Sequence, residues 1–501
     1  MIWVDYVIFG LYFLVILYIG FYFYRKNTNR EDYFVGSRNI SASHVGMSLV
    51  ATDVGGGFSI GLGGLGFLIG LSGSWLLFTG LVGAWLVAVV MIPRIKALDN
   101  TKRFLTYPDF LRYRYGKSVA VIAAFISGIG YLGFTSAQIL AGAKLAAGSV
   151  FSDLTFMDPL QFSLYIMAAV ILVYTVLGGL KAVIYTDTVQ WIILLTGLLC
   201  FGIPFSYLKV GGWHAMRTAL PPAHFTLNNV TWVQVFNWCV TIIPVWFVAM
   251  TLYQRIYACK NIREAKKAFF IAGILEYPLM AFVGVTLGLM ARVKFPGAEA
   301  EMAMPMLLRN VLPVGVTGIV LAAYFSAVMS TADSCLIAAS GNLVNDIVEG
   351  LGHPFQSQKK AIRISQISTL LIGALALILA TVFQTVLEII LHAYAFMVAG
   401  LLVPTLGAYF WKKSDPTAAF VSMIGGGILT LILIALTSGE LFGLKLLNIL
   451  NGCSLTIVEI SVNFKLWFGL DPSFFGICFS ALLFVPISLI MNKEKNRAGQ
   501  N

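Results

Sequence analysis

The sequence predicts an all-α, polytopic membrane protein with about thirteen transmembrane helices, and two observations predict it. Of 501 residues, 59% are hydrophobic and only 11% are charged, too little charge to cover a water-facing surface of this size. The hydrophobic residues also fall in long unbroken runs. About 20 consecutive apolar residues are what a helix needs to cross a ~30 Å hydrocarbon layer. The strands of a membrane barrel would instead alternate apolar and polar positions.

In chain order the runs place spans at 4–24, 43–70, 75–97, 118–149, 160–178, 182–207, 232–253, 264–292, 313–345, 362–382, 384–411, 416–437 and 470–491. The first run is too long for a cleaved leader and ends in Arg25-Lys26, so it reads as a retained helix. With the N-terminus outside and the C-terminus inside, the inside loops hold 25 of the 33 Lys and Arg residues, among them Lys96, Lys181, Arg255 and Lys412. That asymmetry is the positive-inside pattern of a cell-membrane protein. It also accounts for the net charge of +11 without nucleic acid. The six cysteines are scattered, with no Cys-x-x-Cys, and read as core thiols.

Two spans are interrupted: the second contains Gly55-Gly56-Gly57 and the seventh contains Pro244. Each opens a group of five, spans 2–6 and 7–11. Five is odd, so the second group enters the membrane inverted. Broken helices at matching positions of two inverted halves point to a transporter's binding site. Unwound backbone in lipid is too costly unless it faces a cavity, an ion or a solute. The bland alternative for the glycines is a close-packing face. The grouping divides the chain into an extra N-terminal helix with its inside loop (1–42), a first repeat (43–207), an outside loop (208–231), a second repeat (232–411), and two C-terminal helices with an outside loop and inside tail (412–501).

The ninth span places Ala327, Ser330, Thr331 and Ser334 at i, i+3, i+4 and i+7, on one helical face. Hydroxyls and carbonyls are hard neutral ligands for a hard cation. The structural alternative is that each hydroxyl bonds back to its own helix. Acids inside a membrane mark function by default; here they are Asp53, Asp187, Glu276, Asp333 and Glu388. Glu388 with His392 also fits a structural i,i+4 pair.

With these residues in hand, the chain resembles the sodium/solute symporter family, whose members have the LeuT fold. The resemblance runs from the first loop to about residue 411. It rests on Asp32-Tyr33-Phe34 with Arg38, on Tyr174-Thr175 followed by Gly178-Gly179-Leu180-Lys181 and Thr186-Asp187 with Gln190, on Gln254-Arg255, and on Ser330-Thr331-Ala332-Asp333-Ser334. It implies a 5+5 inverted-repeat core with one extra N-terminal and two extra C-terminal helices. It implies a sodium ion held by Ala51, Val54, Ala327, Ser330 and Thr331. A candidate second sodium site falls at Asp187, Ser334 and Asp333, although Asp333 stands where such a site has a hydroxyl. The position of Asp53 resembles that of proline carriers. Asp53 is expected to couple sodium to solute by holding the break, through its charge or by accepting hydrogen bonds from freed amides.

The expected function is sodium-coupled symport of a small organic solute by alternating access in the lipid bilayer. The alternative is a proton-coupled carrier or a solute sensor on the same fold. Pocket candidates are Gly55, Gly56, Gly57, Gln138, Trp246 and Thr251. No obligate protein partner is called for. Gly57-Phe58-Ser59-Ile60-Gly61 has the G-x-S-x-G spacing of a hydrolase. That motif needs a strand–turn–helix setting, and here it sits in a membrane helix, so an enzyme is not expected.

Overall fold

The computed structural model describes residues 3–26, 34–350, 357–438, 440–441, 444–445 and 469–498. Asp32, Tyr33 and most of the predicted outside loop after residue 438 lie outside the described residues. The helices are α1 Trp3–Lys26, α2 Ala42–Asp53, α3 Gly55–Ile69, α4 Trp75–Val90, α5 Ile92–Lys102, α6 Tyr107–Tyr115, α7 Lys117–Gly148 and α8 Pro159–Thr196. They continue with α9 Ile203–Val210, α10 Gly212–Ala219, α11 Trp232–Val248, α12 Met250–Ala258, α13 Ile262–Ile274, α14 Ala281–Lys294 and α15 Ala300–Val311. The last are α16 Val316–Gly341, α17 Gln358–Ala380, α18 Val386–Phe410, α19 Pro416–Ser438 and α20 Pro472–Ala498. Two-residue strands, β1 Glu440–Leu441 and β2 Leu444–Lys445, pair antiparallel.

Among the described residues, nine helical stretches are long and apolar enough to cross a membrane, or ten with the bent pair α11–α12. The count of thirteen is therefore not reached by length and hydropathy alone. Three stretches account for the difference between ten and thirteen. The segment 55–90 forms one apolar stretch where the sequence suggests two spans meeting at residues 70–75, and α1 and the start of α8 are shorter apolar helices. The inside turn expected at Lys181 is also absent: α8 runs unbroken from Pro159 to Thr196. Leu180, Lys181 and Ala182 are strong helix formers with no proline among them. The split of 362–411 into two helices is present, at residues 381–385.

Burial sorts the helices into core and rim. In α16 and the turn after it, 94% of the most apolar window is buried within the protein, against 22% for α20. The core helix packs on α7 and α8, with α3 and α2 also against it. Glycines let these backbones approach. A Cβ at Gly56 would lie 2.7 Å from Val328 Cα, and one at Gly426 would lie 2.4 Å from the Ala399 carbonyl, so van der Waals contact replaces side chains there. The outer helices instead expose large apolar side chains, such as Leu371, Ile428 and Leu482. That is the surface expected to face lipid rather than water.

Candidate functional site

The first helix break falls between α2 and α3, at Val54, in the expected place. Gly55 turns to φ +41°, and a Cβ there would meet Thr331 Oγ1 at 2.0 Å. Only glycine combines that conformation with that approach. The interruption lets groups other than the helix's own backbone satisfy its polar atoms. The Gly57 amide donates to Gln138 Oε1 at 2.9 Å, and the Thr331 hydroxyl reaches the Ala51 carbonyl at 2.9 Å and the Ala327 carbonyl at 3.1 Å. Three oxygens from two helices thus gather at the break, all buried. Neutral oxygens at such spacing suit a hard cation. The Ser59 hydroxyl donates to the Gly55 carbonyl at 2.6 Å, so the hydrolase-like spacing is ordinary helix back-bonding.

Next to Thr331 a second network begins. Ser330 donates to Asp187 Oδ1 at 2.5 Å and Ser48 donates to Oδ2 at 2.5 Å. The guanidinium of Arg255 closes it. Its Nη2 reaches Asp187 Oδ2 at 3.4 Å, Ser334 Oγ at 2.7 Å and Thr52 Oγ1 at 2.5 Å, and its Nε donates to Ser48 Oγ at 3.1 Å. Arg255 and Asp187 are both fully buried. The assignment of Arg255 to an inside loop is thus corrected. Lys96, placed in another inside loop, is also buried, donating at 2.9 Å to Asp99 and to the Tyr257 carbonyl. A rule that counts charges near span ends cannot tell a loop cation from one folded back onto a carboxylate. Of the candidate second sodium residues, Asp187 and Ser334 stand together against Arg255. Asp333 turns to the hydroxyl of Thr175 instead.

The second break is five residues beyond Pro244. The helix continues past that proline and ends at Ala249, whose extended backbone (φ −70°, ψ 119°) bends α12 by 45° from α11. Its amide still bonds to Val245, and Tyr131 caps the restart, its hydroxyl accepting from the Thr251 amide at 3.0 Å. Both breaks open onto one small cavity of about 10 Å³. Thr52, Asp53, Tyr131, Phe134, Ala249, Thr251, Cys335 and Tyr394 are among its lining residues.

Of the pocket candidates, Thr251 lines this cavity. Gln138 braces the first break, the three glycines pack against Thr331, Val328 and Gln138, and Trp246 packs against Gly83 and Phe269. Asp53 faces the cavity, with the Tyr394 hydroxyl 3.5 Å from Oδ1. No bond from a freed amide to Asp53 is seen; Gln138 takes the Gly57 amide. Glu388 accepts from Thr385 at 2.9 Å at the start of α18. Sequence reasoning missed Tyr131, Phe134 and Tyr394. The first two, with Gln138, repeat at i, i+3 and i+7 on α7, a signal the sequence does carry.

Comparison with known proteins gives the family. The sodium:solute symporter family model matches residues 33–426. The chain is 28% identical over 432 residues to the high-affinity proline transporter PutP of Bacillus subtilis (strain 168), covering 83% of this chain and 89% of that one. It is 27% identical over 482 residues to the human sodium/myo-inositol cotransporter 2, covering 86% and 70%. A solved Na+-coupled sialic acid symporter, in a substrate-bound outward-open state, superposes with a TM-score of 0.72 at 19% identity. That match covers 96% of this chain and 98% of the other and fixes the fold. The chain therefore belongs to the sodium:solute symporter family, and it is a sodium-coupled solute symporter of the membrane, not an enzyme.

Proposed function

We propose that the chain carries a small organic solute across the cell membrane with sodium bound at the α2–α3 break by Ala51, Val54, Ala327, Ser330 and Thr331. The observation that carries this reading is the Thr331 hydroxyl set between the Ala51 and Ala327 carbonyls. Those oxygens belong to a broken helix and to the core helix, so an ion there ties the two together. Sodium then favours whichever state brings α2 and α16 into contact, and only such a differential affinity shifts the equilibrium. Asp187 acts on this site through Ser330, as a positioning residue. A second sodium at Asp187, Ser334 and Asp333 requires Arg255 to leave the first two.

One sodium ion falling through ~100 mV yields ~2.3 kcal/mol, and a tenfold gradient adds about 1.4 kcal/mol. Together they support roughly 500-fold accumulation of a neutral solute at one-to-one stoichiometry. Two inverted groups of five in 43–207 and 232–411, with the N-terminus outside and the C-terminus inside, require in addition a reversal within α8 near Lys181. Uptake into vesicles, tested with a panel of solutes, is expected to need a sodium gradient. Uptake driven equally by a proton gradient without sodium would favour the proton-coupled alternative. For sidedness, cysteines introduced at Asn228 and Lys412 should respectively react with, and be shielded from, an impermeant thiol reagent in intact cells. Labelling at Lys412 would refute the proposed orientation.

A further inference from the structure

Two carboxylates meet beside the cavity, and among the described residues neither is paired with a basic side chain. Glu276 lies in the wide turn Leu275–Met280 that joins α13 to α14, fully buried, and neither of its oxygens has a hydrogen-bond partner. The segment is a kink: Tyr277 leaves the helical conformation (φ −136°, ψ 125°) directly after Glu276. Glu276 and Asp53 converge on Gly80 of α4. From the position a Cβ would take there, Glu276 Oε2 is 2.4 Å away and Asp53 Oδ2 is 3.7 Å away. The two oxygens thus lie within about 6 Å of each other. Like charges at that separation repel strongly away from water, so the pair calls for a positive charge, supplied by a proton or by a bound cation.

Two further observations point to a ligand. The indole N–H of Trp246 is buried without an acceptor, and it lies one turn along the same face of α4, 3.1 Å from a Cβ position at Gly83. The cavity beside Asp53 is lined by Tyr131, Phe134 and Tyr394, the last two stacked at 5.1 Å. Aromatic faces attract cations. Among the described residues, no basic side chain lines the cavity. Arg255, the nearest candidate by sequence, is bound to Asp187, Ser334, Thr52 and Ser48.

We propose that the region around Asp53 and Glu276, whose cavity of about 10 Å³ must widen to admit a solute, recognises a small organic cation, an amine or ammonium group held between the two carboxylates and the aromatic rings, in a molecule that also offers an oxygen to Trp246. This rests on reading the chain as a sodium-coupled symporter and names its substrate class. An anion would add a third negative charge to the pocket. A neutral polyol would leave the compensation of the carboxylates to protons alone.

The test uses the purified full chain and its melting temperature in sodium. Ethanolamine, choline and putrescine serve as cationic probes; proline, myo-inositol and sialic acid serve as comparisons. At least one cationic probe is expected to raise the melting temperature at millimolar concentration. Glu276→Gln is expected to weaken that binding more than tenfold, since it removes one partner of a buried charge contact, while leaving the shift produced by sodium alone. Gly80→Ala, whose methyl group displaces the Glu276 carboxylate, is a second variant expected to weaken it. The inference is overturned if no cationic probe binds, or if one binds equally well to both variants. Absence of the sodium shift in the unaltered protein would count instead against the sodium site, a separate failure.

Discussion

Asp187 and Glu276 are both fully buried carboxylates inside the helix bundle, and they are treated in opposite ways. Asp187 accepts from Ser330 and Ser48 and faces Arg255, so its charge is compensated by the protein. Glu276 has no hydrogen-bond partner, and the nearby Asp53 carries the same sign. A buried charge that is paired belongs to the architecture. A buried charge left unpaired costs free energy unless a proton or a ligand neutralises it. The difference separates the part that holds the helices in register from the part we propose to bind solute.

The largest expected effect follows from breaking the compensated side. Asp187→Ala leaves Arg255 buried without its counter-charge, a loss of about 3–5 kcal/mol. The double change Asp187→Leu with Arg255→Met is expected to recover much of that loss, read as coupling in thermal unfolding of the four proteins. Additive losses would mean that the pair is not the unit it looks to be. Glu276→Gln, by contrast, is expected to leave the melting temperature unchanged or raise it, because no protein contact is lost; a drop as large as that of Asp187→Ala would erase the distinction.

Two glycines on α4 sharpen the comparison at smaller scale. At Gly83 a Cβ would lie 2.4 Å from the rigid Trp246 ring, so Gly83→Ala is expected to cost about 1–3 kcal/mol through overpacking. At Gly80 the obstacle is the end of the Glu276 side chain, which can turn aside. Gly80→Ala should therefore destabilise less than Gly83→Ala, and equal losses at both positions would show that Glu276 is held as firmly as the indole.

Much of this was legible in the sequence, and the gaps have physical causes. Long apolar runs announce membrane helices, and Gly55-Gly56-Gly57 marks the first break because no other residue type permits such close backbone packing. Pro244 misplaces the second break: a proline weakens a helix, but the chain can absorb it and turn where the packing allows, here at Ala249. Arg255 stands next to polar residues after an apolar run and looks like a loop cation. Its burial depends on Asp187, 68 residues earlier, a pairing that periodicity cannot register. The partnerless state of Glu276 is likewise a property of the packed bundle, since it depends on which helices surround that residue.

We propose that sodium is held where the Thr331 hydroxyl meets the Ala51 and Ala327 carbonyls. The most direct measurement is a sodium titration of thermal stability, with no solute present, on the purified protein and on the Ser330→Ala, Thr331→Ala double variant. The unaltered protein should gain stability with rising sodium, as any ligand of the folded state confers, and potassium should not reproduce the gain. The double variant should fold and show little or none of it. An unchanged sodium response in a folded double variant would contradict the site.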